Sequence, residues 1–238
     1  MINMPLGDST LRNTTCFSTE SFIRLSELMH DKRSAVGMTL FIEGDLADKL
    51  FYVKKGRVKM TKSSPFGKQI TLCQYMEGDL FGQIDPFTHS THSFTGEALE
   101  DTIVGVIEQK ELEDVLAMNG ELAIEFMRWM GMMHRITQTK FRDLVMFGKP
   151  TALCSTLIRF VNSYGIERDG KIVINRRISH TEIAEMIGAT RESVNRMLSD
   201  LREKGIVTLD RHLLVIHDIE YLRDICHCEN CPADICRV

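Results

Sequence analysis

The spacing of apolar residues changes character several times along this 238-residue chain. Between Ser18 and His30, Phe22, Leu25 and Leu28 recur at helical intervals, which predicts a short amphipathic helix behind an aperiodic arm at residues 1–17. From Ala35 to Glu108 the pattern shortens to alternation in the runs KLFYVKKG, RVKMTK, KQITLCQY and TIVGVIE. Gly37, Gly44, Gly56, Gly67 and Gly78 punctuate these runs, mostly at intervals of about eleven residues, as expected of an antiparallel sandwich or barrel. Helical spacing returns over Lys110–Phe147, with a break at Asn119–Gly120. Its long part places Phe126, Met130, Met133, Thr137 and Leu144 near one stripe, a candidate seam between two copies of the chain. Gly148–Lys149–Pro150 is expected to end this helix at a hinge, and Thr151–Tyr164 to begin a second domain.

The second domain contains the most informative stretch, Ile178–Gly205. Ser179 followed by Glu182 forms a capping-box pattern that opens a helix running through Met186. Gly188 suits the left-handed turn after it, and Thr190 can cap the next helix. Val194, Leu198 and Leu201 then face inward, leaving Arg191, Glu192, Asn195 and Arg196 together on the outer face. Two guanidiniums, a carboxylate and an amide at the start of a capped helix can read base edges in a major groove. Arginine donates two bonds to guanine, and glutamate accepts from cytosine. The plainer alternative is a helical hairpin with a charged face. Gly205–His217 follows as two short strands turning near Asp210 and Arg211, the wing expected after a helix-turn-helix.

Charge refines this picture. The chain carries a net charge of −4, so no global basic field marks it for nucleic acid. Lys171–Arg211 nevertheless holds eight basic against six acidic residues, a local excess of +2 that suits a binder with few, local phosphate contacts. No signal-peptide pattern and no membrane-length apolar run is present, so a cytoplasmic protein without membrane association is expected.

Of the seven cysteines, Cys16, Cys73 and Cys154 are scattered among apolar neighbours and read as reduced thiols. The other four, Cys226, Cys228, Cys231 and Cys236, fall in the last thirteen residues, CHCENCPADICRV. Three readings of this tail remain open on residues alone: thiolate ligands of an iron–sulfur cluster, a zinc site, or a thiol switch.

A glycine-punctuated β-roll (residues 18–120), a long helix (121–147), a winged helix-turn-helix (148–222) and a cysteine-rich tail (223–238) make an α+β chain. It resembles the CRP/FNR family of bacterial transcription regulators, most specifically through TRESVNRMLSDLREKGIV. The resemblance implies a homodimer that binds double-stranded DNA and acts through RNA polymerase, without enzymatic activity. Arg191, Glu192 and Arg196 match the R-E-x-x-x-R motif of the cyclic-AMP-responsive members, which implies TGTGA-like palindromic half-sites. The effector positions depart from that branch. Gln83, in Gly82–Gln83–Ile84–Asp85, stands where those members carry glutamate, His92 stands where they carry arginine, and Phe94 adds bulk. No cyclic nucleotide is therefore expected, and His89 and His92, in THSTHS, read as surface-loop histidines rather than metal or haem ligands.

The tail resembles that of the FNR branch of Bacillus-like bacteria. That resemblance implies a [4Fe-4S] cluster on Cys228, Cys231 and Cys236, with Asp143 as fourth ligand and Cys226 as its rival. Asp143 has a plainer reading too, as a partner of Lys140 one turn away. The implied function is an oxygen-responsive regulator, mainly an activator under anaerobic conditions. The alternatives are a family member with a zinc, thiol or small-ligand input, and an electron-transfer iron–sulfur protein.

Overall fold

The computed structural model describes residues 11–84 and 90–238, which form two compact units dividing between Met133 and His134. In the first, α1 (Thr19–Glu27) is capped by Ser18, whose hydroxyl accepts from the Ser21 amide at 3.2 Å. The helix stops short of the expected His30, because His30 already opens β1 (His30–Ser34). This strand is exposed along nearly its whole length, so it has no apolar alternation by which to be read.

Seven further strands follow: β2 (Thr39–Phe41), β3 (Lys49–Lys55), β4 (Arg57–Ser63), β5 (Gln69–Met76), β6 (Leu80–Gly82), β7 (Thr95–Ala98) and β8 (Thr102–Glu108). They make two four-stranded antiparallel sheets, ordered β1-β8-β3-β6 and β2-β7-β4-β5. Alternate side chains, among them Phe41, Phe51, Val53, Val58, Tyr75 and Phe81, close the core between them. Gly56 joins β3 to β4 at φ +93°, where a Cβ would lie 2.5 Å from the Thr102 hydroxyl, so only glycine fits.

The helical region divides as its sequence predicts, into α2 (Gln109–Met118) and α3 (Gly120–Met146). The Asn119 side chain accepts from the Leu122 amide at the break. The apolar stripe of α3 differs from the expected one. Phe126 is buried against Phe17 and Trp129 in the core of the first unit, and Met133 is partly buried. The outward apolar positions are Met127, Met130, Phe141 and Leu144, with exposed His134 and Thr137 between them. These six repeat at alternating intervals of three and four, the spacing of a coiled-coil seam. The expected stripe mixed this face with the inward one, because both are apolar.

In the second unit, α4 runs Gly148–Tyr164, three residues earlier than expected. Gly148, at φ +75°, makes the break alone. Pro150 sits in the first turn, where its missing N–H has no partner to lose. Then come β9 (Gly165–Arg168), β10 (Lys171–Ile174), α5 (His180–Met186), α6 (Arg191–Glu203), β11 (Val207–Asp210), β12 (Leu213–Ile216) and α7 (Ile219–Ile225). The strands form one sheet, ordered β11-β12-β10-β9. Leu157, Phe160, Ile183, Val194, Leu198 and Ile216 join helices and sheet in one core. Among the described residues no helix is long and apolar enough to cross a membrane.

Candidate functional site

The helix-turn-helix forms as its caps dictate. Ser179 accepts from the Glu182 amide at 3.0 Å, and Thr190 accepts from the Ser193 amide at 3.2 Å. Glu182 also pairs with Arg176 at 2.8 Å, which ties α5 to the chain entering it. Gly188 takes φ +60° between the helices, and Ala189 donates back to the Ala184 carbonyl at 2.9 Å. Val194, Leu198 and Leu201 are buried, which turns Arg191, Glu192, Asn195 and Arg196 outward on one exposed face. The wing turn falls on Arg211 and His212, at φ +48° and +69°, the two left-handed residues a two-residue hairpin turn requires.

Between α5, α6 and the wing lies an open concavity of about 580 Å³, lined by Arg177, Ser179, His180, Thr181, Arg191 and His212 among others. Burial, with Arg202 and Arg191 nearby, holds the His180 imidazole below its ordinary pKa. Arg177, His180 and His212 were not singled out by sequence periodicity. They converge only when the hairpin folds beside the helices.

The cysteine tail packs onto α4, held by polar groups. Asn162 Nδ2 donates to the Cys236 carbonyl at 2.5 Å, Ser163 Oγ accepts from the Val238 amide at 3.2 Å, and Arg159 Nη1 donates to the Ile235 carbonyl at 3.4 Å. Cys226, Cys228, Cys231 and Cys236 together line one cavity of about 20 Å³, shared with Thr139, Arg142, Ser155 and Arg159. Cys226 is buried at the end of α7, and the left-handed His227 (φ +47°) follows it before Cys228. The hydrogen bond from the Cys226 thiol lowers the Cys228 pKa to about 6 and raises that of Cys226. Burial raises the Cys236 thiol, against the pull of Arg159.

Asp143 adjoins this cluster without lining the cavity. Its side chain is 4% exposed and fully engaged. Oδ1 accepts from Arg142 Nη2 at 2.8 Å and Nε at 3.2 Å, while Oδ2 accepts from Arg159 Nη2 at 3.1 Å and from the Ser155 hydroxyl. Arg142 also pairs with Glu229 at 2.5 Å, beside Cys228. These partners, Arg142, Arg159 and Ser155, differ from the Lys140 of the plainer alternative. Among the described residues, no three His, Cys, Asp or Glu side chains are already arranged around a metal position.

Ser155, Arg159 and Asn162 form a buried polar stripe on α4 that the sequence reading missed. The signal was present as polar residues at i, i+4 and i+7 inside the largely apolar ALCSTLIRFVNSY.

In the β-roll, Gln83 Oε1 accepts from the Ser93 amide at 2.9 Å and Nε2 donates to the Thr91 carbonyl at 3.1 Å. His92 is no surface-loop residue. It is 3% exposed and stacks on Phe41 with ring centroids 3.9 Å apart, and burial lowers its pKa. The apolar ring of Phe41 provides a stacking face that a polar-loop reading of THSTHS ignores. Phe94 is partly buried against the same core. Asp85 and His89 lie outside the described residues.

Comparison with known proteins is consistent at every level. Residues 151–225 match the Crp-like helix-turn-helix domain, and residues 32–119 the cyclic nucleotide-binding domain. The chain is 42% identical over 201 residues to the anaerobic regulatory protein of Bacillus subtilis, covering 84% of each. It is 30% identical over 183 residues to the global nitrogen regulator of a Nostoc species, covering 75% of this chain and 81% of that one. Among solved structures, a CooA variant from Carboxydothermus hydrogenoformans superposes with a TM-score of 0.74 at 21% identity, over 94% of this chain and 98% of that one. FixK2 from Bradyrhizobium japonicum gives 0.70 at 19%, over 83% and 96%. At these identities the two structures establish the fold.

Proposed function

Because the chain belongs to the CRP/FNR family of DNA-binding transcription regulators and is not an enzyme, we propose that it senses oxygen through a [4Fe-4S] cluster on its tail. We further propose that it binds inverted TGTGA-like half-sites as a homodimer and acts through RNA polymerase in the cytoplasm. The observation that carries the reading is the convergence of Cys228, Cys231 and Cys236 on one cavity beside Asp143. The likeness to an anaerobic regulatory protein supports action when oxygen is scarce, and the activating direction follows the family resemblance.

The donor set fits such a group. Three soft thiolates suit iron and sulfide, and the harder carboxylate is the ligand most easily exchanged. Arg142 and Arg159 supply cationic charge beside an anionic assembly. A cavity of about 20 Å³ admits roughly one water-sized particle, so loading requires movement of the irregular segment from Cys228 to Pro232, while Cys236 stays on α4. When bound, a cluster supplies an oxygen-labile bond between α3 and the tail. The residues present do the rest. Asn162 and Ser163 hold the tail on α4, and Arg142 ties Glu229 to the end of α3. The α3 seam pairs two copies, and Arg191, Glu192 and Arg196 read bases.

In the β-roll, Gln83 is bonded to backbone and His92 is stacked in the core, which supports a rigid domain rather than a cyclic-nucleotide receptor. One observation favours a thiol-switch input instead, the presence of Cys226 beside Cys228 in the same small cavity.

The reading is tested by fluorescence anisotropy on a TGTGA palindrome, with anaerobic protein before and after air. A loss of affinity of about tenfold or more, equivalent to about 1.4 kcal/mol of coupling, is expected. It should be absent in an Asp143→Ala protein, which binds in both conditions like the air-exposed parent. Equal binding of the parent before and after air removes oxygen sensing and leaves the DNA-binding assignment standing.

A further inference from the structure

Arg159 is a long cationic side chain, 4% exposed, in the middle of a helix whose other buried residues are mostly apolar. Such a group is retained in a core only if its donors are matched. The matches come from three segments. On α3, the Asp143 carboxylate accepts at 3.1 Å and the Thr139 hydroxyl at 3.2 Å, and on the tail the Ile235 carbonyl accepts at 3.4 Å. Ile235 adjoins Cys236, whose own carbonyl accepts from Asn162 one turn along the same helix. Arg142 plays a different part, because it lies at the rim and divides its bonds between Asp143 and exposed Glu229.

We propose that Arg159 is the positioning residue of the cysteine site, fixing Asp143 and the Ile235–Cys236 segment relative to one another before anything binds there. Its purpose rests on the cluster reading; its geometry does not. A planar guanidinium can serve several acceptors at fixed angles, whereas an ammonium at the same place keeps the charge and loses the fork. Arg159 thereby joins α3, α4 and the tail in the cluster-free protein, and the site is preorganised rather than assembled from a loose tail.

The test uses the full-length, cluster-free chain without oxygen, as wild type, Arg159→Gln and Arg159→Lys. Iodoacetamide labelling is followed peptide by peptide, with Cys154 in the core of the same unit as internal control. Arg159→Gln should raise Cys236 labelling by about tenfold or more while Cys154 stays protected, the pattern of a local opening. Arg159→Lys should fall between the two. After iron and sulfide are supplied, both variants should bleach in air several-fold faster than wild type.

Unchanged Cys236 labelling in both variants overturns the proposal. A parallel rise at Cys154 also overturns it, since that pattern marks a structural ion pair whose loss loosens the whole unit. If Arg159→Gln does not fold, Arg159→Lys decides by the same two cysteines. Should the wild type take up no iron, the cluster reading falls, and the labelling result still decides whether Arg159 positions the tail.

Discussion

Arg191, Glu192 and Arg196 stand exposed on α6 while Val194, Leu198 and Leu201 beneath them are buried, so the proposed base contacts and the folding core are separable residue by residue. Replacing Glu192 or Arg196 with alanine should cost about 1–3 kcal/mol of discrimination at one base pair and leave thermal unfolding unchanged. Competition binding with singly substituted half-sites measures it. Leu198→Ala should instead destabilise the second unit by about 2–5 kcal/mol, read as a lower denaturation midpoint. The outward placement of these residues was legible because a capped helix has one inward face, and four polar residues at i, i+1, i+4 and i+5 have only the other face to occupy. His92 was not legible, since a histidine between two serines gives no sign of the Phe41 ring that covers it. Its lowered pKa has a pH consequence. Folding excludes the proton, so stability is fully present above the ordinary value of 6.5 and is lost as pH falls below it. A His92→Gln variant should lose this acid sensitivity in urea titrations of the first unit, even if its neutral-pH stability drops.

At the scale of elements, what the sequence revealed depended on how sharply its pattern was marked. β3, β4, β5 and β8 are apolar runs set off by turn residues, β3 and β8 with both faces buried, and α6 has one buried face between clear caps. Exposed β1 carries no alternation. The β9–β10 hairpin is too short to stand out, and turns at Asp169 and Gly170, both left-handed. α3 was placed correctly, but its outward seam was confused with its inward face. The seam that emerges, Met127, Met130, Phe141 and Leu144 around His134 and Thr137, makes a sharper forecast. Met130→Glu combined with Phe141→Glu should shift the protein from dimer to monomer in sedimentation velocity and abolish binding to a palindrome. α4 shows the opposite limit. Its polar stripe was visible as Ser155, Arg159 and Asn162, yet its partners Asp143, Ile235 and Cys236 lie far away in sequence, and only the fold brings them together.

For the whole molecule, two copies of a winged helix must present their α6 helices about 34 Å apart, one turn of B-DNA, to bind a palindrome. An input need only bias that spacing, and the end of α3 is where a small change would reach the DNA-binding helices. Asp143, Arg142 and the tail cysteines meet there, with Phe147 and His227 packing nearby at 4.8 Å between ring centroids. The cluster assignment rests on donor chemistry and kinship, and metal analysis addresses it directly. Protein purified without oxygen should carry about four irons and four sulfides per chain, with broad visible absorption that bleaches on exposure to air. Colourless protein holding one zinc or no metal would contradict the account and move the search for an input to the thiols of the tail or to the β-roll.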